Sequence, residues 1–262
     1  MSVSLKYSGM VFAAALLFFG ANATQALDWS AKESAAAKEL YIPELKLVRP
    51  EMVSSSAAAA LRESSVELAY VETTVNPGKY TCSALNKSTL RQAADRLAAA
   101  LGKLSDDAIA KIGLRYVLLC GEAKAGGRMI GGIPVPPLKT LMLSMGGNDQ
   151  AYQSHIFFHE LFHYMEFMQN RSVNDPRWNA RFSGYGHADT AWKLGSGTQG
   201  FVSAYARTAP EEDRAEVFAH LMSSPATLRR YADSRNDTVL NQKISYIKDM
   251  ASGRFAIDYV NK

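Results

Sequence analysis

The sequence predicts an α+β fold: a small mixed sheet, one deeply buried helix and a helical C-terminal part. Three observations carry this. Short runs rich in β-branched and apolar residues, at 66–75, 116–120 and 140–145, read as strands. Segments with apolar residues at helical spacing lie between and after them. Residues 151–169 are apolar around most of the helical circumference, the pattern of a helix buried on all sides. The chain has 262 residues, 47% apolar and 21% charged, so it has mass for a sizeable core and is not a low-complexity or disordered chain. Its net charge of +4 is spread without a long Lys/Arg run, which argues against nucleic acid as a partner.

Taken in order, the first segment is not part of the fold. Lys6 precedes an apolar run at 10–20, and the small residues Ala21-Asn22-Ala23 and Thr24-Gln25-Ala26 follow it. A charged start, a short apolar stretch and an A-x-A-like site describe a signal peptide over 1–26. The run is short for a membrane span. The mature protein is therefore expected to be secreted or periplasmic, with no membrane association once the leader is removed. Residues 27–63, rich in Ala, Lys and Glu and broken by Pro43 and Pro50, form a helical N-terminal segment. Residues 64–262 form the main domain.

Within that domain the run at 66–75 is a strand, closed by the turn signal Asn76-Pro77-Gly78. A helix spans 88–101, with Leu90, Ala94, Leu97 and Leu101 on one face and Ser88 as its N-cap. Ser105-Asp106-Asp107 starts a second, short helix. The stretch 126–137, punctuated by Gly and Pro, reads as loop. Cys82 and Cys120 are the two cysteines. In an exported chain such a pair favours a disulfide over two buried thiols.

The helix at 151–169 holds a conflict. Beside its apolar residues it carries His155, His159, Glu160 and His163, and buried ionisable groups are costly unless paired or bound to a metal. His159-Glu160-Leu161-Phe162-His163 is an H-E-x-x-H motif. Two histidines four apart share one helical face, about 6 Å along the axis, so both imidazoles reach one zinc ion. Glu160 beside them can take a proton from the metal's water. A catalytic zinc needs a third protein ligand and an open position. The H-x-x-G-x-x-H extension of the motif is absent. Downstream candidates are Glu166, Glu211, Glu212, Glu216 and His187. Glu166 lies too close on the same helix, and Glu211 suits a capping box with Thr208 at a helix that Pro210 begins. Glu212 and Glu216 share a helical face, so one can bind zinc while the other supports a ligating His. His155 and His220 read as supporting or ordinary polar residues. Trp178, Phe182, Tyr185, Trp192 and Phe201 punctuate the Gly-rich stretch between the two blocks. They either shape a cleft or hold the long loop in place.

The H-E-x-x-H motif, with Tyr205-Ala206-Arg207-Thr208, Glu212 and Ala215-Glu216-Val217-Phe218-Ala219, resembles the gluzincin-type zinc metallopeptidases of the anthrax lethal factor and Pro-Pro endopeptidase group. There a Tyr lies seven residues before the ligand Glu and a second Glu four residues after it. The likeness covers about residues 152–222. It implies a zincin-like fold and one Zn2+ per chain, held by His159, His163 and Glu212. It also implies Glu160 as general base, Tyr205 as donor to the developing oxyanion, and Glu216 behind the ligands as support. Asp213-Arg214 and the stretch 169–200 depart from the pattern. The function so implied is zinc-dependent endopeptidase action on a peptide or protein substrate. The alternatives are a zinc-binding protein without turnover, or a zinc amidase acting on cell-wall peptides.

Overall fold

The computed structural model describes residues 29–147, 149–170 and 172–258; the leader expected at 1–26 lies outside them. Helix α1 (Trp29–Leu40) leads to β1 (Leu45–Leu47), α2 (Ser55–Glu63), β2 (Glu67–Val71), β3 (Tyr80–Cys82), α3 (Lys87–Leu101), α4 (Asp106–Ile112) and β4 (Tyr116–Cys120). Three short strands follow, β5 (Ala123–Ala125), β6 (Arg128–Ile130) and β7 (Gly132–Val135), before β8 (Thr140–Ser144). The remainder is helical: α5 (Gln150–Asn170), α6 (Pro176–Arg181), α7 (Pro210–Ser223), α8 (Pro225–Ser234) and α9 (Thr238–Phe255). The architecture is α+β. Among the described residues no helix is long and apolar enough to cross a membrane.

The main sheet has the order β1-β2-β4-β8-β7, parallel at its centre and antiparallel at both edges. Side chains alternate across it. Val117 and Leu119 of β4, with Leu141 and Leu143 of β8, face the larger core with α3, α5 and α7. Tyr116, Leu118 and Cys120 face the other side, under α1. Helix α5 lies on the first face, against β7 and β8, with α7 packed along its outer side. The described part of the segment expected at 27–63 holds α1 and α2, yet it also supplies β1, which pairs with β2. The N-terminal segment is thus built into the same sheet as the residues that follow it.

Several elements differ from the sequence reading for local reasons. The first strand stops at Val71, and Val75 makes only an isolated bridge to Cys82. Asn86, not Ser88, caps α3: its side chain accepts the Thr89 N–H at 2.8 Å. The stretch read as loop at 126–137 contains β6 and β7, because its Gly and Pro sit at turns and on an edge strand where Pro is tolerated. At α7, Pro210 takes the first turn, but Thr208 donates to the Tyr205 carbonyl at 2.8 Å instead of closing a capping box.

Cys82 and Cys120 are joined by a disulfide across 38 residues. The bond ties the small β3-β5-β6 sheet to the end of β4. Closing a loop of that length stabilises a chain by about 3–4 kcal/mol in the entropic model. The double change Cys82→Ala, Cys120→Ala should therefore lower the urea midpoint by a corresponding amount. An unchanged midpoint would mean the sheets hold together without the bond.

Candidate metal centre

Helices α5 and α7 lie antiparallel and present ionisable side chains to each other at every turn. From α5 come His155, His159 and His163; from α7 come His220, Glu216 and Glu212. The four-residue spacing keeps each set on one face. Asp149 secures the start of α5 by accepting the N–H groups of Ala151 and Tyr152 at 3.0 and 3.2 Å. Of the six histidines and glutamates, all but Glu212 are buried.

The donor atoms converge on one point. His159 Nε2 lies 3.2 Å from His163 Nε2 and 3.0 Å from Glu212 Oε2, and His163 Nε2 lies 3.5 Å from Glu212 Oε2. Three ligands at zinc distances around a tetrahedral ion stand about 3.3 Å apart. The other face of His159 settles its tautomer. Its Nδ1 is 3.0 Å from Glu216 Oε1, and a carboxylate only accepts, so the proton is on Nδ1. Nε2 faces the second imidazole and the Glu212 carboxylate, and it would present its lone pair to a metal ion held there. Two imidazole nitrogens and a carboxylate oxygen meeting there form a group that could hold a metal ion. The donor set of two imidazoles and a carboxylate suits zinc.

The electrostatics show that the carboxylates draw positive charge to this place. Burial alone would strip the proton from His159, but its hydrogen bonds to Glu212 and Glu216 outweigh that and raise its pKa to about 10. The histidines in turn overcome the burial of Glu212 and Glu216 and hold both carboxyls below the usual range. Glu160 is different. Burial raises its pKa, and His159 and His163 only partly oppose this, so it is a better proton acceptor than an ordinary carboxylate. Gly132 makes room for it: a Cβ there would stand 2.6 Å from Glu160 Cγ.

Tyr205 sits in a 3₁₀ turn, Tyr205–Arg207, before α7. Its ring centroid is 5.7 Å from that of His159. Burial and the Glu212 carboxylate push its hydroxyl pKa up, so it stays protonated as a donor. A cavity of about 350 Å³ opens beside these groups, lined by His159, Glu160, Tyr205, Tyr152, Trp192 and Gly132 among others.

The structure brings His159, Glu160, His163, Tyr205, Glu212 and Glu216 together. It leaves out His187, which is exposed and whose backbone N–H binds the Arg207 carbonyl. It also adds Ser203, which the sequence did not single out, and gives partners to His155 and His220, read there as supporting or ordinary polar residues. Ser203 donates to Glu216 Oε2 at 2.6 Å, and a lone serine carries no sequence signal. His155 Nε2 lies 2.7 Å from Glu216 Oε1. His220, held neutral with a pKa near 4 by burial and then by His155, places Nε2 3.1 Å from the Trp192 carbonyl. Of the aromatic residues between the two motif blocks, Trp192 reaches the cavity. Trp178, Phe182, Tyr185 and Phe201 instead surround the buried Lys243.

No protein-family model and no curated protein matches the chain. Among solved structures it is similar to a candidate zinc-binding metallo-peptidase from Bacteroides caccae, with a TM-score of 0.45 and 16% identity over 91% of this chain and 90% of that one.

Proposed function

We propose that this chain is an exported zinc metallopeptidase of the gluzincin type, with His159, His163 and Glu212 as ligands. The observation that carries the reading is the convergence of His159 Nε2, His163 Nε2 and Glu212 Oε2 within 3.5 Å, next to Glu160. A zinc ion held there would supply a Lewis acid and a water of lowered pKa. Glu216 accepts the Nδ1 proton of His159, which would leave Nε2 to hold the ion. Glu160 takes the proton of the attacking water and delivers it to the leaving amine. The Tyr205 hydroxyl donates to the oxygen that becomes negative as the carbonyl turns tetrahedral. Strand β7 is a sheet edge next to α5, and an extended peptide can pair with such an edge, which favours peptides over other amides. The Cys82–Cys120 disulfide supports export to an oxidising compartment.

The test is restoration of hydrolysis to chelator-stripped protein, with zinc titrated against a peptide library. Wild type should recover. Glu212→Ala should not recover at any zinc concentration, because a ligand is gone. Glu216→Gln should recover, but at about 10–100-fold higher free zinc. Recovery by Glu212→Ala and failure of Glu216→Gln would exchange the two carboxylates. No hydrolysis by zinc-loaded wild type would leave a binding protein without turnover. Tyr205→Phe should bind zinc normally and lose about 10²–10³ in kcat, with KM little changed; an unchanged kcat would remove the hydroxyl from the reaction.

A further inference from the structure

The α5–α7 interface continues one turn past the candidate zinc ligands, and the same donor types recur there. His155 stands four residues before His159 on α5, and Glu216 and His220 stand four and eight residues after Glu212 on α7. The first set is two imidazoles and a carboxylate from two helices. So is the second, and a ligand atom from each of His155, Glu216 and His220 lies within 4.8 Å of the others. We propose that these three residues hold a second divalent transition-metal ion, distinct from the one at His159, His163 and Glu212.

Three observations support the site. First, burial is nearly complete: His155 is 2% exposed, Glu216 1% and His220 5%. A place so dry tolerates this many ionisable groups only when they are paired or ligating. Second, His220 is oriented as metal-binding histidines are. Its Nε2 lies 3.1 Å from the Trp192 carbonyl, which only accepts, so the proton is on Nε2 and Nδ1 presents a lone pair. A ligating imidazole typically gives its other N–H to a backbone carbonyl or carboxylate in this way. His159 does the same toward Glu216. Third, His155 Nδ1 is buried without a hydrogen-bond partner, so the protein does not fully satisfy this ring. Its Nε2 donates to Glu216 Oε1 at 2.7 Å, and a cation bound there would displace that proton.

Charge and valence also admit a second cation. Glu160, Glu212 and Glu216 bring three carboxylates to one buried region, one more negative charge than a single divalent ion neutralises. Oε1 of Glu216 has two lone pairs. One accepts the His159 N–H; the other can take the second ion in place of the His155 ring proton. The ion would bridge α5 to α7 behind the first site and stiffen the carboxylate that orients His159. Two nitrogens and one oxygen suit a borderline cation such as Zn2+.

The experiment is a metal count. Stripped full-length mature protein is saturated with Zn2+, dialysed and assayed by elemental analysis, with circular dichroism confirming the fold. Wild type should hold two ions per chain. His220→Leu and His155→Phe should each hold one. Glu212→Ala, which leaves all three residues of the second site untouched, should also hold one. Saturation of wild type at one ion, or two ions retained in both histidine variants, would overturn the proposal: Glu216 would then be satisfied by hydrogen bonds alone. If the histidine variants fail to fold, Glu212→Ala decides, because an ion-free Glu212→Ala protein overturns the second site. If wild type holds two ions and Glu212→Ala holds one, but zinc-loaded wild type hydrolyses no peptide, the peptidase reading falls and the second site stands.

Discussion

Glu160→Gln is expected to lower kcat/KM for peptide hydrolysis by about 10²–10⁴-fold, the usual contribution of a positioned general base, while zinc content stays at the wild-type value. The substitution keeps shape and removes only the ability to carry a proton. Its surroundings make the expectation sharp. The side chain is 7% exposed, it packs against Gly132, and burial has already raised its proton affinity. A neutral amide in that position relieves charge burial, so the fold should not suffer and a lost rate cannot be blamed on unfolding. Peptide cleavage and elemental analysis on the same sample check both halves. Full activity in Glu160→Gln would overturn the proton-transfer scheme, because no other described carboxylate lines the cavity without also bonding a histidine.

Lys243→Met should be the most damaging single change to stability, by about 3–5 kcal/mol, the range for removing one partner of a buried ion pair. For a chain of this size that corresponds to a melting point lower by roughly 10 °C. Lys243 Nζ binds Asp213 Oδ2 at 2.6 Å and the Gly200 carbonyl at 2.7 Å, and lies 3.7 Å from the centroid of Phe201. Without it the Asp213 carboxylate, 0% exposed, keeps only the Tyr185 hydroxyl at 2.9 Å. Burial raises Asp213 to a pKa of about 6 even with Lys243 present. A carboxyl whose folded pKa is raised loses stability as pH climbs through that value. The defect in Lys243→Met should accordingly be smaller at about pH 5 than at about pH 7.5. Adding Asp213→Asn should restore part of the loss, as a double-mutant cycle measures. Equal melting points at the two pH values would rule out an uncompensated Asp213 charge as the cause. The pair also bears on the metal centre: Asp213 adjoins Glu212 on α7, and Gly200 lies five residues before Tyr205.

Much of the candidate site was legible because its information is local. The spacing of His159 and His163 places both on one face of any helix they occupy, and the apolar run around them marks that helix as buried. The spacing of Glu212 and Glu216 is equally readable. Their division of labour is not. Both carboxylates lie on one face, one turn apart, and either can meet a histidine. The sliding position of α7 along α5 puts Glu212 Oε2 beside the Nε2 atoms and Glu216 Oε1 beside Nδ1 of His159. No periodicity within one helix encodes that offset.

The same distinction runs through the fold. Strands β4 and β8 were visible as continuous apolar runs because both their faces are buried. Strands β6 and β7 were not, since they are short, partly exposed and interrupted by Gly and Pro. Of the loop aromatics, only the packing of α9 decides that four enclose Lys243 while Trp192 reaches the cavity. The sequence by itself determined which side chains share a helix face, because backbone geometry repeats every turn. Only the tertiary structure decided which faces meet, and therefore which carboxylate touches which nitrogen, because that depends on how the cores on the two sides of the sheet fill.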